Sequence, residues 1–226
     1  MGTSISRGRK LEAGGYGFSG DDLPGLGDTP AESRFDPRVW FAEERRGLPF
    51  ELEIGSGKGT FLVQQATGGG DADGTNFLGV EYAKQFWLYA ADRVRRHALE
   101  NVRMLCFDAD VLVGWYLPDG LVRRVHVYFP DPWPKARHNK RRLIQEPFLR
   151  QVHRVLEDGG ELRLVTDHAD YWAWMNEHID KVPELFERSE FDRPGSAGEG
   201  EVVGTNFERK YRREGRPFYA VTLGKK

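Results

Sequence analysis

Apolar residues along this chain fall into short continuous runs separated by stretches of helical period, and the two patterns alternate. Phe50 to Gly55 reads as a first strand and Thr60 to Ala66 as a short helix. Asn76 to Glu81 is a second strand. The next stretch, Ala83 to Ala98, places Ala83, Trp87, Ala90, Ala91, Val94 and Ala98 at three-four spacing, which predicts a helix. Val102 to Phe107 and Arg124 to Phe129 are the third and fourth strands. Phe148, Leu149, Val152, Val155 and Leu156 line one face of the following helix. Pro147 fits its first turn, where a missing N–H costs little, and the Asp158-Gly159-Gly160 turn is its expected stop. Gly160 to Thr166 is a fifth strand, and His168 to Ile179 a helix. Leu185 to Phe191 and Pro217 to Leu223 then complete seven strands. Such alternation predicts an α/β fold, a doubly wound and mostly parallel seven-stranded sheet with helices on both faces. Ligand is expected at the carboxyl ends of the strands.

The first 34 residues break the pattern. They are rich in Gly, Ser, Pro and Asp without an apolar period, so residues 1–47 are expected to form a flexible arm, with Arg7, Arg9 and Lys10 near its tip. Residues 48–226 then make up one folded domain, interrupted by a loop insertion at Thr67 to Thr75. A hydrophobic content of 39% supports one substantial core. No apolar run is long enough to span a bilayer, and the amino terminus lacks the apolar core of a signal peptide. Cys106 is the only cysteine, which excludes an internal disulfide and a thiolate metal site. The histidines are scattered without ligand-like pairing, so no metal is expected. These features together predict a soluble, cytoplasmic protein.

A net charge of −2 argues at first against a nucleic-acid partner. The charge is unevenly distributed, however. Lys135, Arg137, Lys140, Arg141 and Arg142 crowd a segment with no acid, and Phe207 to Arg216 is a second cation-rich stretch. A lone charge run is usually a solvated face. Two such runs near candidate chemistry point to a surface that tracks phosphates.

That chemistry begins at Glu53-Ile54-Gly55-Ser56-Gly57-Lys58-Gly59, where the first strand hands over to the first helix. Glycines there let the backbone approach a ligand, with a helix N-terminus behind. A phosphate-binding loop would need Ser or Thr after Lys58, and Gly59 stands there; the dinucleotide pattern needs Gly or Ala where Thr60 stands. The remaining pattern, E-x-G-x-G-x-G on Glu53, Gly55, Gly57 and Gly59, resembles the first motif of class I S-adenosylmethionine methyltransferases, with their Rossmann-like fold. Glu81 and Asp108 end the second and third strands. Under this resemblance Glu81 faces the ribose hydroxyls, Asp108 the adenine, and Glu53 the cationic methionine end of the cofactor.

After the fourth strand comes Phe129-Pro130-Asp131-Pro132-Trp133-Pro134-Lys135-Ala136-Arg137-His138-Asn139-Lys140-Arg141-Arg142. Its prolines stiffen the loop and fix Asp131 in the middle. This stretch is similar to the hallmark F-x-D-P-W-P-K-x-R-H-x-K-R-R of the bacterial tRNA (guanine-N7-)-methyltransferases. The Thr166-Asp167 pair and the Thr205-Asn206-Phe207-Glu208 segment agree with that family too, and the likeness runs over residues 48–223. The resemblance implies methyl transfer from S-adenosylmethionine to N7 of a guanine in tRNA, by convention position 46 of the variable loop. It implies cofactor contacts at Glu53, Glu81, Asp108 and Asp131, with Asp131 also at the catalytic centre. Substrate contacts are implied at Lys135, Asp167, Thr205, Asn206, Phe207 and Glu208. Relatives of this family act without a partner subunit, which implies a monomer or homodimer.

Guanine N7 carries a lone pair and no proton, so the reaction demands alignment rather than a general base. Asp131 is the candidate to stabilise the positive charge that moves onto the purine. Asp167 and Glu208 are candidates for reading the guanine's N1–H and amino edge, although Asp167 is equally placed to cap the next helix. Arg137, Lys140, Arg141 and Arg142 are expected to track phosphates. Trp133 reads either as a base-stacking platform or as a packed loop anchor. Two rivals remain: a methyltransferase for a small molecule or protein, to which the basic proline loop lends no reason, and an RNA-binding protein that has lost catalysis.

Overall fold

A computed structural model describes residues 8–68 and 74–226 of the chain. Arg7, at the tip of the expected arm, and residues 69–73 of the expected insertion lie outside the described residues. Strands β2 (Phe50–Ile54), β3 (Asn76–Glu81), β4 (Val102–Cys106), β5 (Val122–Tyr128) and β6 (Leu156–Thr166) run parallel. Strand β8 (Tyr219–Lys225) pairs antiparallel with β6 and with β7 (Phe186–Ser189). A short strand β1 (Gly17–Ser19) lies parallel to β4 on the other edge. The eight strands follow the order β1-β4-β3-β2-β5-β6-β8-β7, so the seven expected strands are present and one more is added.

The added strand corrects the reading of the amino-terminal segment, much of which is packed. Phe18 stacks on Trp40 with ring centroids 4.2 Å apart. Arg34 donates to the carbonyls of Gly114 and Trp115, and Arg9 pairs with the buried carboxylate of Asp92 at 2.6 Å. A three-residue strand carries no detectable period; its order comes from contacts distant in sequence. The helix before β6 also ends differently. It stops at Val155, and Asp158 to Gly160 lie within β6, where the register against β5 shifts between Val122 and Arg124.

Helices α1 (Thr60–Thr67) and α2 (Lys84–Arg96) cover one face of the sheet. A short α3 (Ala109–Val111), running on as a π turn (Leu112–Tyr116), covers the other with α4 (Glu146–Val155) and α5 (Ala169–Ile179). The sequence pattern missed α3 and a further helix, α6 (Asn206–Arg213). Among the described residues, no helix is long and apolar enough to cross a membrane.

Strand β2 shows how this fold creates a site. Phe50, Leu52 and Ile54 point into the core shared with α4 and α5, so the alternation of a strand turns Glu51 and Glu53 to the opposite face. Both glutamates are buried. Glu51 accepts from Arg123 at 2.6 Å and Arg124 at 2.9 Å, and bonds the ring of His126 at 2.9 Å. Burial pushes its carboxyl up, but the His126 bond and the arginines outweigh that and bring it down to about 2. Glu53, two residues on, has no such partners among the described residues.

Candidate functional site

A cavity of about 1190 Å³ opens at the carboxyl ends of β2 to β5. The floor is the loop between β2 and α1. Gly55, Gly57 and Gly59 all have positive φ, a backbone that only glycine takes up without strain. The Gly55 and Ser56 amides donate to the Val80 carbonyl at 2.9 and 3.1 Å, which anchors the loop to β3. Glu81, ending β3, accepts from the Gly57 amide at 2.8 Å and the Ala83 amide at 2.8 Å, one on each oxygen. An ionised carboxylate has about four acceptor positions, so both oxygens keep capacity for a ligand's hydroxyls.

Asp108 follows β4 and lines the same cavity. Its Oδ1 caps α3, accepting from the amides of Asp110 and Val111 at 2.9 and 3.1 Å, and Oδ2 takes no part in the cap. Glu53 is the outlier. It is 4% exposed, its Oε2 has no hydrogen-bond partner among the described residues, and it lines the cavity. Burial, with the neighbouring Glu81 charge, pushes its carboxyl well above the usual range. A buried carboxyl without a partner at a cavity wall is costly unless a cationic or hydrogen-bonding ligand group completes it.

Asp131 lines the cavity from the loop after β5. Two non-glycine residues on either side of it, Phe129 and Trp133, have φ of 55° and 44°. Left-handed backbone costs such residues about 1–3 kcal/mol each and persists only where surroundings impose it. The surroundings are identifiable. The Phe129 amide donates to Val165 at 2.7 Å, and its ring meets the edges or faces of Tyr211 and Phe218. At the other end Arg142 donates from Nε to the Pro132 carbonyl at 2.9 Å, pairs with Asp170, and lies over the rings of Tyr171 and Trp174.

Arg142 is therefore a correction to the phosphate-tracking set, because its side chain is 1% exposed and bound to Pro132 and Asp170. We expect Arg142→Ala to cost about 2–3 kcal/mol through lost packing and cation–π contact. Arg141→Ala, at an exposed position, is expected to cost less than about 0.5 kcal/mol. Urea denaturation of the two variants checks this; equal stabilities would remove Arg142 from the clasp. Arg141 itself lines the cavity with its guanidinium over Trp133 at 5.0 Å, while Lys135, Arg137 and Lys140 are exposed outside the lining.

The late motif folds as the start of α6. Thr205 caps that helix, accepting from the Glu208 amide at 3.0 Å. Asn206 donates to Thr60 Oγ1 at 2.7 Å, and Phe207 stands over Gly57; all three of Thr205, Asn206 and Phe207 line the cavity. Glu208 does not, and its expected reading of a guanine edge is overturned. Its carboxylate is buried and taken up by the amides of Val202, Val203 and Gly204 and by Arg212 at 2.7 Å. Asp167 is neither a cap nor part of the lining. Its Oδ2 pairs with Arg216 at 2.6 Å, and His168 caps α5 instead. The sequence reading also missed Tyr82, Phe86 and Phe107, aromatic residues beside the two strand-end acids that line the cavity. Their positions directly after or near Glu81 and Asp108 were the available signal.

Comparisons with known proteins identify the family and the fold. The family model Methyltransf_4, described as "Putative methyltransferase", matches residues 48–221. The tRNA (guanine-N(7)-)-methyltransferase of Nitrobacter hamburgensis is 34% identical over 211 residues, covering 93% of this chain and 80% of that one. The enzyme of the same name from Corynebacterium glutamicum is 40% identical over 162 residues, 72% of this chain; the match spans 62% of that relative's length. Among solved structures, a 30S ribosomal A1408 methyltransferase from an uncultured bacterium shares the fold. Its TM-score is 0.53 at 13% identity, over 85% of this chain and 96% of that one.

Proposed function

The chain belongs to the Methyltransf_4 family and to its tRNA (guanine-N7-)-methyltransferases, and from that premise we propose that it methylates N7 of a guanine in tRNA, position 46 of the variable loop. The observation that carries this reading is the contrast between two buried glutamates on one strand face. Glu51 is fully paired, whereas Glu53 reaches the cavity wall with an orphaned oxygen. Such a group suits a ligand with an ammonium or sulfonium charge, and Glu81 and Asp108 suit the ribose and base of the same molecule. These residues fit S-adenosylmethionine, which when bound supplies an electrophilic methyl on a positively charged sulfur.

The chain's own part is to align and to exclude alternatives. Glu53 fixes the cationic end and Glu81 the ribose, which sets the direction from which a nucleophile must arrive. Asp131, held between two strained residues, lies where positive charge develops on the purine as N7 gains its fourth bond. A cavity of about 1190 Å³ exceeds the roughly 300–1,000 Å³ of an ordinary small-ligand pocket, which suits two ligands side by side. Cations at the rim, Arg141 among them, attract the phosphates that flank the target nucleotide. The protein acts as a monomer or homodimer.

The test is incubation of the purified protein with S-adenosylmethionine and unmodified tRNA transcript, then nucleoside digestion and mass spectrometry. 7-Methylguanosine is the expected product. Methylation of another base, or none despite measured binding of both ligands, overturns the assignment.

A further inference from the structure

Among the described residues, the partly buried Arg123 and Arg124 and the buried Arg142 and Arg163 are paired with carboxylates or carbonyls. Arg93 of α2 is different. It is partly buried, yet among the described residues its side chain has a single hydrogen-bond partner, the Thr60 hydroxyl Oγ1 at 3.1 Å, while its guanidinium has five N–H donors. Among the described residues no carboxylate lies within 4.0 Å of it, and its charged neighbours include Arg96 and Arg209. Burial, and the repulsion from those cations, lower its pKa.

The same hydroxyl of Thr60 also accepts from Asn206, so Arg93 adjoins the first turn of α6. Lys58 lies over Tyr89 of α2 at 5.7 Å, and Lys210 of α6 stands over Tyr211; both lysines are exposed and line the cavity. Arg141 reaches that cavity from the opposite face of the sheet, where its segment leads into α4. The cavity mouth is thus cationic on both sides: Arg141 comes from the basic loop, Lys210 from the second cation-rich stretch, and Arg93 and Lys58 from neither.

We propose that Arg93, Lys58 and Lys210 form a second phosphate-binding surface, which holds the RNA backbone on the far side of the target nucleotide from Arg141. The proposal rests on RNA being the substrate. Three cations spread over the glycine loop, α2 and α6 call for more than one anion, whereas the cofactor brings a single carboxylate. Contacts on both sides of the cavity grip the strand before and after one nucleotide, which favours turning that base out of its stack into the cavity.

The test is binding of unmodified tRNA transcript from 50 to 300 mM KCl, with cofactor affinity measured in parallel. Each lost phosphate contact is expected to reduce the slope of log K against log salt by about 0.7–0.9. Arg93→Gln and Lys210→Gln are each expected to show that reduction, as Arg141→Gln does, and Arg93→Lys to retain the wild-type slope by keeping its charge. If only Arg141→Gln changes the slope, the second surface is overturned and the RNA reading stands. If Arg93→Gln weakens the cofactor and not the RNA, the cation serves the cofactor's carboxylate and the proposal fails. A wild-type protein with no affinity for tRNA overturns both readings.

Discussion

Asp131→Ala is expected to lower single-turnover methyl transfer to tRNA by about 10²–10³-fold, a loss of about 3–4 kcal/mol of transition-state stabilisation. The size follows from placement rather than from charge alone. Packing imposes the strained backbone at Phe129 and Trp133, so the main chain that carries Asp131 is placed at the cavity before substrate arrives. A carboxylate whose backbone is already in place has less reorganisation to undergo as charge forms beside it. Asp131→Asn separates the two contributions, because it keeps size and loop geometry while removing the charge. If electrostatics dominate, Asn is nearly as slow as Ala; if alignment of a hydrogen bond dominates, Asn recovers much of the rate. Both variants are expected to keep the wild-type melting temperature within a few degrees, since the side chain is exposed and, among the described residues, no ion pair depends on it. Near-wild-type turnover by Asp131→Ala, with quench-flow times long enough to separate chemistry from product release, would exclude it from the reacting centre.

Much of the sheet was legible because its strands are buried on both faces, and such strands appear as unbroken apolar runs. Asn76–Glu81 is an example whose limits match the expected ones. The acids at strand ends were legible for a related reason. A polar residue that closes an apolar run has only the carboxyl edge of the sheet to occupy, as Glu81 and Asp108 do. Charge was less informative. Arg142 looks like its neighbour Arg141 in a basic run, and only packing against Tyr171 and Trp174 separates a structural arginine from one at the cavity. Glu208 was similarly ambiguous, since its partners are backbone amides, which no sequence pattern displays. One signal was readable and went unused: Thr205-x-x-Glu208 is the start of a helix by its capping pattern, and α6 begins there. The short strand β1 carried no comparable mark, because three residues cannot establish a period.

Glu53→Gln is expected to weaken S-adenosylmethionine by about 10–10²-fold while making the ligand-free protein more stable at pH 7.5 by about 1–2 kcal/mol. The opposite signs have one origin. Burial, together with Glu81, raises the Glu53 carboxyl in the free protein, so the folded state holds a proton that the unfolded chain releases. Wherever the folded state binds more protons, stability falls as pH rises. The ligand-free protein is therefore expected to lose stability from about pH 4.5 upward through the raised value, a loss that glutamine abolishes. A cationic ligand group at the orphaned Oε2 reverses the balance by favouring the charged carboxylate. Binding then expels up to one proton, and affinity rises with pH, by at most tenfold per unit, until the free carboxyl is already ionised. Calorimetry in two buffers of different ionisation enthalpy measures that proton directly. Chemical denaturation of both proteins between pH 5 and 8 measures the stability effect. Proton-neutral binding by the wild type, together with parallel stability profiles for the two proteins, would mean that Glu53 is neither strained when empty nor the partner of a cation when filled.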